Sequence, residues 1–281
     1  GDLKEIVDNN YLPEKYSASE TGRVTANAAK ALFGKVYLTF HKWNEAKDVL
    51  SQLIGKYSLL PSIGQVFDVN NKNNAEIIFA VHFNKEIVNE GHPYWYDITN
   101  LTDESGQAEA LVNCFTQGDT RKEMITYVKA ENKAYLMTKF LDTKNVSFNQ
   151  VGNDQILLRY ADVLLMYAEA LNELGYDASE GSIALKQLNA TRTRAGLTKL
   201  TAADVPTQES FRKAILDERQ KEFPYEGHRW FDLVRMGYAK SVLATQGLNI
   251  QDYQLLFPIP QTEIEKVGDS KILWQNPGYD K

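Results

Sequence analysis

The chain has 281 residues, 43% of them apolar, enough to bury a large core and to form one large domain or two modest ones. A net charge of −6 argues against an electrostatic grip on nucleic acid or on an anionic membrane surface, both of which favour basic proteins. A single cysteine, Cys114, excludes an internal disulfide and any cysteine-rich metal site, and no run of about 18 apolar residues is present to span a bilayer.

The opening GDLKEIVDNN has neither the basic nor the apolar region of a secretory signal. Its leading Gly reads as the remnant of a cleaved tag, so the natural N-terminus, signal included, is expected upstream. Residues 25–54 then read as two helices with a break near His41. Ala26, Ala29, Phe33, Val36, Tyr37 and Phe40 recur at three- and four-residue steps, while Ala28, Ala31 and Gly34 keep the opposite side small enough for a second helix to approach closely. The order Phe33, Gly34, Tyr37, Ala46, Leu50 fits one tetratricopeptide unit.

Residues 55–155 differ in kind and read as an irregular insert with few short strands. AEIIFAVHF (75–83) is a strand candidate, and EIVNEGHPYWYDITNLTDESG is a long aromatic loop. In GHPYWYD, Tyr94, Trp95 and Tyr96 are consecutive between Gly91, Pro93 and Asp97, so their rings cannot all enter one core. An exposed ring offers a flat face to the C–H side of a sugar or to an apolar side chain; the other reading is a loop anchored by its aromatics.

LLRYADVLLMYAEALNEL (157–174) reads as a helix apolar on two sides, with Arg159, Asp162, Glu169 and Glu173 on a narrow polar strip. SIALKQLNATRTRAG returns as its partner, closed by Gly196. A third pair covers about 207–240: Thr207 or Asp204 caps a helix running to about Phe223, and EGHRWFDLVRMG supplies the next. In the tail, 250–281, Pro258 and Pro260 force an extended path, and Thr262 with Glu265 is expected to form a capping box for one short helix.

The chemistry hinges on Glu218 and Glu222, which continue the apolar face of Phe211, Ala214 and Ile215 and so point inward. Buried carboxylates need partners, and Arg229 and Arg235 are the expected ones. One reading is acid–base catalysis by Glu218 or Glu222 with His228 or Asp232. The other is an ion-paired joint between packed helices, favoured because an adjacent arginine lowers a carboxyl pKa and spoils it as a general acid. Glu226 with Arg229, and Asp232 with Arg235, are read as i,i+3 surface pairs flanking Trp230. The four histidines show no metal-ligand spacing, and no phosphate-cradle, dinucleotide or nucleophile-elbow motif occurs.

LRYADVLLMYAEALNELG (158–175), LNATRTRAG (188–196), AILDERQKEFPYEGHRWFDLVRMG (214–237) and LFPIPQTEI with ILWQNPGY (256–279) stand in the order and spacing of the SusD/RagB-like family, which this chain resembles from about residue 20 onward. AEIIFAVHF and QGDTRKEMI (117–125) are similar to that family's middle segments. The resemblance implies a mainly α fold of tetratricopeptide-like helix pairs, an α-solenoid with a loop-rich insert, forming a single domain over 1–281 with the family's N-terminal half absent. It further implies a non-catalytic outer-membrane lipoprotein of a starch-utilization-like system. Such a protein captures glycans, or peptides in the RagB branch, for a SusC-like TonB-dependent transporter. Membrane attachment would run only through a lipid anchor on the missing N-terminus, and no cofactor, metal or nucleic acid is implied. Arg159, Asp162, Glu218, Arg219, Glu222, Glu226, Arg229, Trp230, Asp232 and Arg235 would then be fold signature, leaving His92, Tyr94, Trp95 and Tyr96 as candidate ligand contacts. A hydrolase using Glu218 and Glu222 is the remaining alternative.

Overall fold

A short helix, α1 (Asp2–Asp8), precedes the hairpin expected around His41: α2 (Ala26–Thr39) and α3 (Trp43–Ser51). Thr25 caps α2 by accepting from Ala28 N, and His41 makes the turn at a positive φ of 54°. The small side of α2 does what its composition suggested. A Cβ placed on Gly34 would lie 2.6 Å from Leu50 Cγ, so only glycine lets α3 sit this close.

The computed structural model describes residues 1–92, 101–102, 107–129, 134–142 and 151–279, which divide into two units, Gly1–Glu226 and Gly227–Lys281. In the insert of the first unit, α4 (Ile63–Val66) leads to β1 (Ile77–Val81). There follow β2 (Leu101–Thr102), α5 (Gln107–Asn113), β3 (Ile125–Lys129) and β4 (Ala134–Met137), with the three strands forming a small antiparallel sheet in the order β2-β4-β3. The fold is mainly α, as the helical periodicities indicated.

The structure corrects the start of the longest apolar segment. Gln155–Arg159 is a strand, β5, paired antiparallel with β1, and the helix α6 begins only at Tyr160 and runs to Leu174. Over five residues a buried strand and a buried helix share the same apolar content, so periodicity could not separate them. Tyr160 N donates to Glu76 O and its hydroxyl accepts from Gly55 N at 2.8 Å, which pins the strand-to-helix joint to the insert. The β1–β5 ribbon contributes to two apolar clusters: Ile78 and Leu158 join α2, α3 and α6, whereas Ala80 and Ile156 join Ile63, Phe67, Phe115, Met137 and Phe140.

Helices α7 (Ile183–Arg194) and α8 (Gln208–Glu222) pack against α6. Ser182 caps α7, Gly196 takes a positive φ of 79° just past its end, and Thr207 forms a reciprocal capping box with Ser210 at the start of α8. Asp204, the other candidate cap, instead closes a turn by accepting from Thr201 N and Oγ1.

The second unit holds α9 (Arg229–Arg235), α10 (Ala239–Thr245) and α11 (Gln261–Val267). Thr262 and Glu265 do not form the expected box: the cap of α11 lies two residues earlier, at Pro260, whose side chain has nothing to donate or accept. The tail doubles back on itself, with Gln275 bonded in both directions to the Ile259 backbone and Tyr279 donating to Leu256 O at 3.0 Å.

Candidate functional site

Helix α8 carries Phe211 and Ile215 into the core and, continuing that face, buries Glu218 at 1% and Glu222 at 0% exposure. Their partners differ from those expected. Arg121 Nη1 donates to Glu218 Oε1 at 2.6 Å and to Glu222 Oε2 at 3.2 Å, while its other nitrogens fork onto Asp119 at 2.9 and 2.8 Å. Arg159 Nη1 donates to Glu222 Oε1 at 2.6 Å and to Glu76 Oε1 at 3.0 Å, and its Nε to Glu226 Oε2 at 2.7 Å. Arg194 bridges Glu222 and Glu76, and Arg192 lies 3.7 Å from Glu218.

Lys139 completes the cluster, donating to Glu226 Oε1 at 2.5 Å and to Pro224 O at 3.1 Å, with its ammonium 4.6 Å from the Phe67 ring centroid. Among the described residues of this unit, the cluster sets Arg121, Lys139, Arg159, Arg192 and Arg194 against Glu76, Asp119, Glu218, Glu222 and Glu226, so charges match one for one. A second group joins Arg219 to Asp162 at 2.8 Å and Lys35 to Asp162 at 3.2 Å, with the Arg219 guanidinium 4.9 Å from the Phe223 ring.

Several expectations are thereby corrected. The narrow polar strip is itself buried at Arg159, Asp162 and Glu169, each only 1% exposed. Glu226 is not at the surface: its carboxylate lies in the cluster beside Arg159 and Lys139. Arg229 and Arg235 stand in the second unit, where Arg235 donates to Asp232 at 2.8 Å in a pair whose side chains are only 8% and 6% exposed. Trp230 lies 6.0 Å from Phe257, centroid to centroid. The residues missed, Glu76, Asp119, Arg121, Lys139 and Arg194, had one local sign: charges embedded in apolar or turn-forming stretches, as in AEIIFAV and QGDTRKEMI.

This environment sets the protonation states. Burial alone would push the Glu222 carboxyl up, but the Arg194, Arg159 and Arg121 guanidiniums outweigh it and hold it far below the usual carboxylate range. Burial likewise opposes charge on Arg121, and Asp119, Glu218 and Glu222 more than offset it. For Lys139 burial wins, pushing the ammonium down to about 8 despite Glu226. A carboxylate held ionised and sealed from solvent has no proton to give, so Glu222 is unsuited to general-acid chemistry.

The expected ligand contacts lie elsewhere. His92 is buried, its ring 4.1 Å from Phe83 and its Nε2 3.3 Å from Gln155 Oε1, and its N–H donates to Val151 O at 2.8 Å. Burial lowers its pKa, against the opposing pull of Gln155 and Asp154. His92 is thus held to the β5 side of the insert, while Tyr94, Trp95 and Tyr96 fall outside the described residues. Among the described residues no group of three or more His, Cys, Asp or Glu side chains is arranged to hold a metal ion.

The SusD family model matches residues 119–254, the span that contains Asp119, Arg121, Arg159, Arg194, Glu218, Glu222 and Glu226. SusD-like protein P25 of Formosa agariphila is 27% identical over 91% of this chain. In sequence the chain is SusD/RagB-like. Among solved SusD/RagB-like structures, surface glycan-binding protein A from Bacteroides fluxus is 26% identical with a TM-score of 0.80, covering 99% of this chain and 68% of that one. A laminarin-binding SusD-like protein is 28% identical with a TM-score of 0.74, covering 99% and 67%. The chain spans 59% of the length of the Formosa relative.

Proposed function

We propose that this SusD/RagB-like protein binds glycan chains and is not an enzyme. The observation that carries the reading is its likeness, along almost its whole length, to a laminarin-binding SusD-like protein. The chemistry of the acids supports it. Glu218 and Glu222, the strongest catalytic candidates in the sequence, are enclosed by guanidinium groups. Recognition falls to the 92–96 segment: His92 anchors it, and Tyr94, Trp95 and Tyr96 supply flat rings to stack on sugar faces. The cellular setting proposed with it is the outer-membrane surface, through a lipid anchor on an upstream segment, with delivery of captured glycan to a SusC-like TonB-dependent transporter.

Isothermal titration of the protein against a panel of oligosaccharides tests the reading, with laminarihexaose included. Binding is expected, and Trp95→Ala is expected to weaken it by about tenfold. Absence of binding to every saccharide, with capture of peptides from a defined pool, would transfer the function to peptide uptake. Co-purification with a SusC-like transporter from outer membranes tests the proposed partner.

A further inference from the structure

Two adjoining cavities of about 530 and 570 Å³ on the first unit share Thr21, Asn73 and His82 in their walls. Neither is lined by His92 or by any member of the buried charge cluster. Asn70 and Asn84 line the first beside Lys72 and Lys85, whose ammonium groups are met by Asp154 at 2.6 Å and Asp142 at 2.9 Å. The second is lined by Tyr16, Tyr57 and Asn27, and its Lys56 is paired with Glu14. The cations at these walls are therefore largely neutralised, and little net charge remains to attract an anion.

Two acceptors distinguish the site. His82 Nδ1 lies 2.7 Å from Asp154 Oδ2. A carboxylate only accepts, so in the neutral imidazole the proton sits on Nδ1 and Nε2 is left as an acceptor. Asn27 is 6% exposed, and its Oδ1 has no hydrogen-bond partner. Its side chain lies beside the Tyr57 phenol, as does that of Thr25. A buried acceptor without a donor is rare in a folded protein and calls for a group that supplies one.

Carboxylate, sulfate and phosphate groups have no proton to offer such acceptors when ionised, whereas a sugar hydroxyl both donates and accepts and so also suits the Asn70, Asn73 and Asn84 amides. We infer that the paired cavities form a saccharide-contacting site, which extends to Phe83, whose ring meets that of His92. It takes a neutral, hydroxyl-rich chain that donates to Asn27 Oδ1 and His82 Nε2. The inference rests on the glycan-binding reading and adds to it a second place of contact and a preference for uncharged sugars.

The test titrates wild type, Thr21→Trp, Asn27→Leu and Trp95→Ala with laminari-, cello-, malto- and mannohexaose and with an oligogalacturonate. The ¹⁵N shifts of the His82 ring are followed at saturation. Thr21 is exposed at the wall common to both cavities, so tryptophan there adds bulk without disturbing the core. At least one neutral hexaose is expected to bind about tenfold more weakly to Thr21→Trp and to Asn27→Leu, and to shift His82 Nε2. Unchanged affinity in Thr21→Trp with a silent His82 ring overturns the inference. If the same sugar is then lost on Trp95→Ala, glycan binding by the loop stands without it. Tighter binding of the oligogalacturonate overturns the neutral-ligand assignment, and failure of every saccharide to bind removes both readings.

Discussion

Arg159 Nη1 donates to Glu222 Oε1 at 2.6 Å, joining the last residue of β5 to the last residue of α8 across 63 positions of chain. The same guanidinium reaches Glu76 and Glu226, so one side chain ties the insert, the central helix pair and the end of the first unit.

Removing the Glu222 charge is accordingly expected to be severe. Glu222→Gln leaves Arg159, Arg194 and Arg121 short of a buried counter-charge and should cost about 3–5 kcal/mol, read from the urea midpoint. An active-site acid would behave otherwise, losing turnover while stability held.

Acid should reproduce part of that loss. The folded-state pKa of Glu222 lies far below the ordinary carboxyl value of 4.5, so its contribution is complete above that value and declines as pH falls through and beyond it. Wild type should therefore lose stability below about pH 4.3 more steeply than Glu222→Gln, as urea titrations at successive pH values would show.

Lys139 predicts a slope of the same sign at high pH. Its pKa is lowered from 10.5 to about 8 by burial, so between those values the unfolded chain holds a proton that the folded chain has released. Stability relative to Lys139→Met should be flat below pH 8 and rise from there to about 10.4. A flat difference across that window would show the ammonium to be better solvated than its surroundings allow.

Gly34→Ala should destabilise the α2–α3 hairpin by about 1–3 kcal/mol, even though alanine is the better helix former, because the new methyl meets Leu50. Pairing it with Leu50→Ala should cost less than the sum of the single changes, which thermal melts of the four proteins would reveal.

How far these relationships were legible from the residues depends on their range. The α2–α3 turn at His41, the Thr207 cap and the inward heading of Glu218 and Glu222 follow from spacing within one helix. The partners of those carboxylates do not. Arg121 is 97 residues from Glu218 and Arg194 is 118 from Glu76, and such pairings leave no periodicity to read. Nearby arginines in EGHRWFDLVRMG were chosen on proximity in sequence, whereas the observed ones are brought in by the packing of α6, α7 and the insert. Gln155–Arg159 misled for a different reason: its apolar run fits a strand and a helix equally well, and only pairing with Ile77–Val81 decides.

The order in which the cluster's members are made has a consequence for biosynthesis. Arg121, Lys139, Arg159 and Arg194 all precede Glu218, Glu222 and Glu226, so a nascent chain holds its cations long before most of their counter-charges exist. At roughly 5–20 residues per second, the stretch from Arg121 to Glu226 takes on the order of 5–20 s to synthesise. Until it emerges, the interior of the first unit cannot close, and a chain broken off within α8 would be left with stranded guanidinium groups, a ready mark for proteolysis.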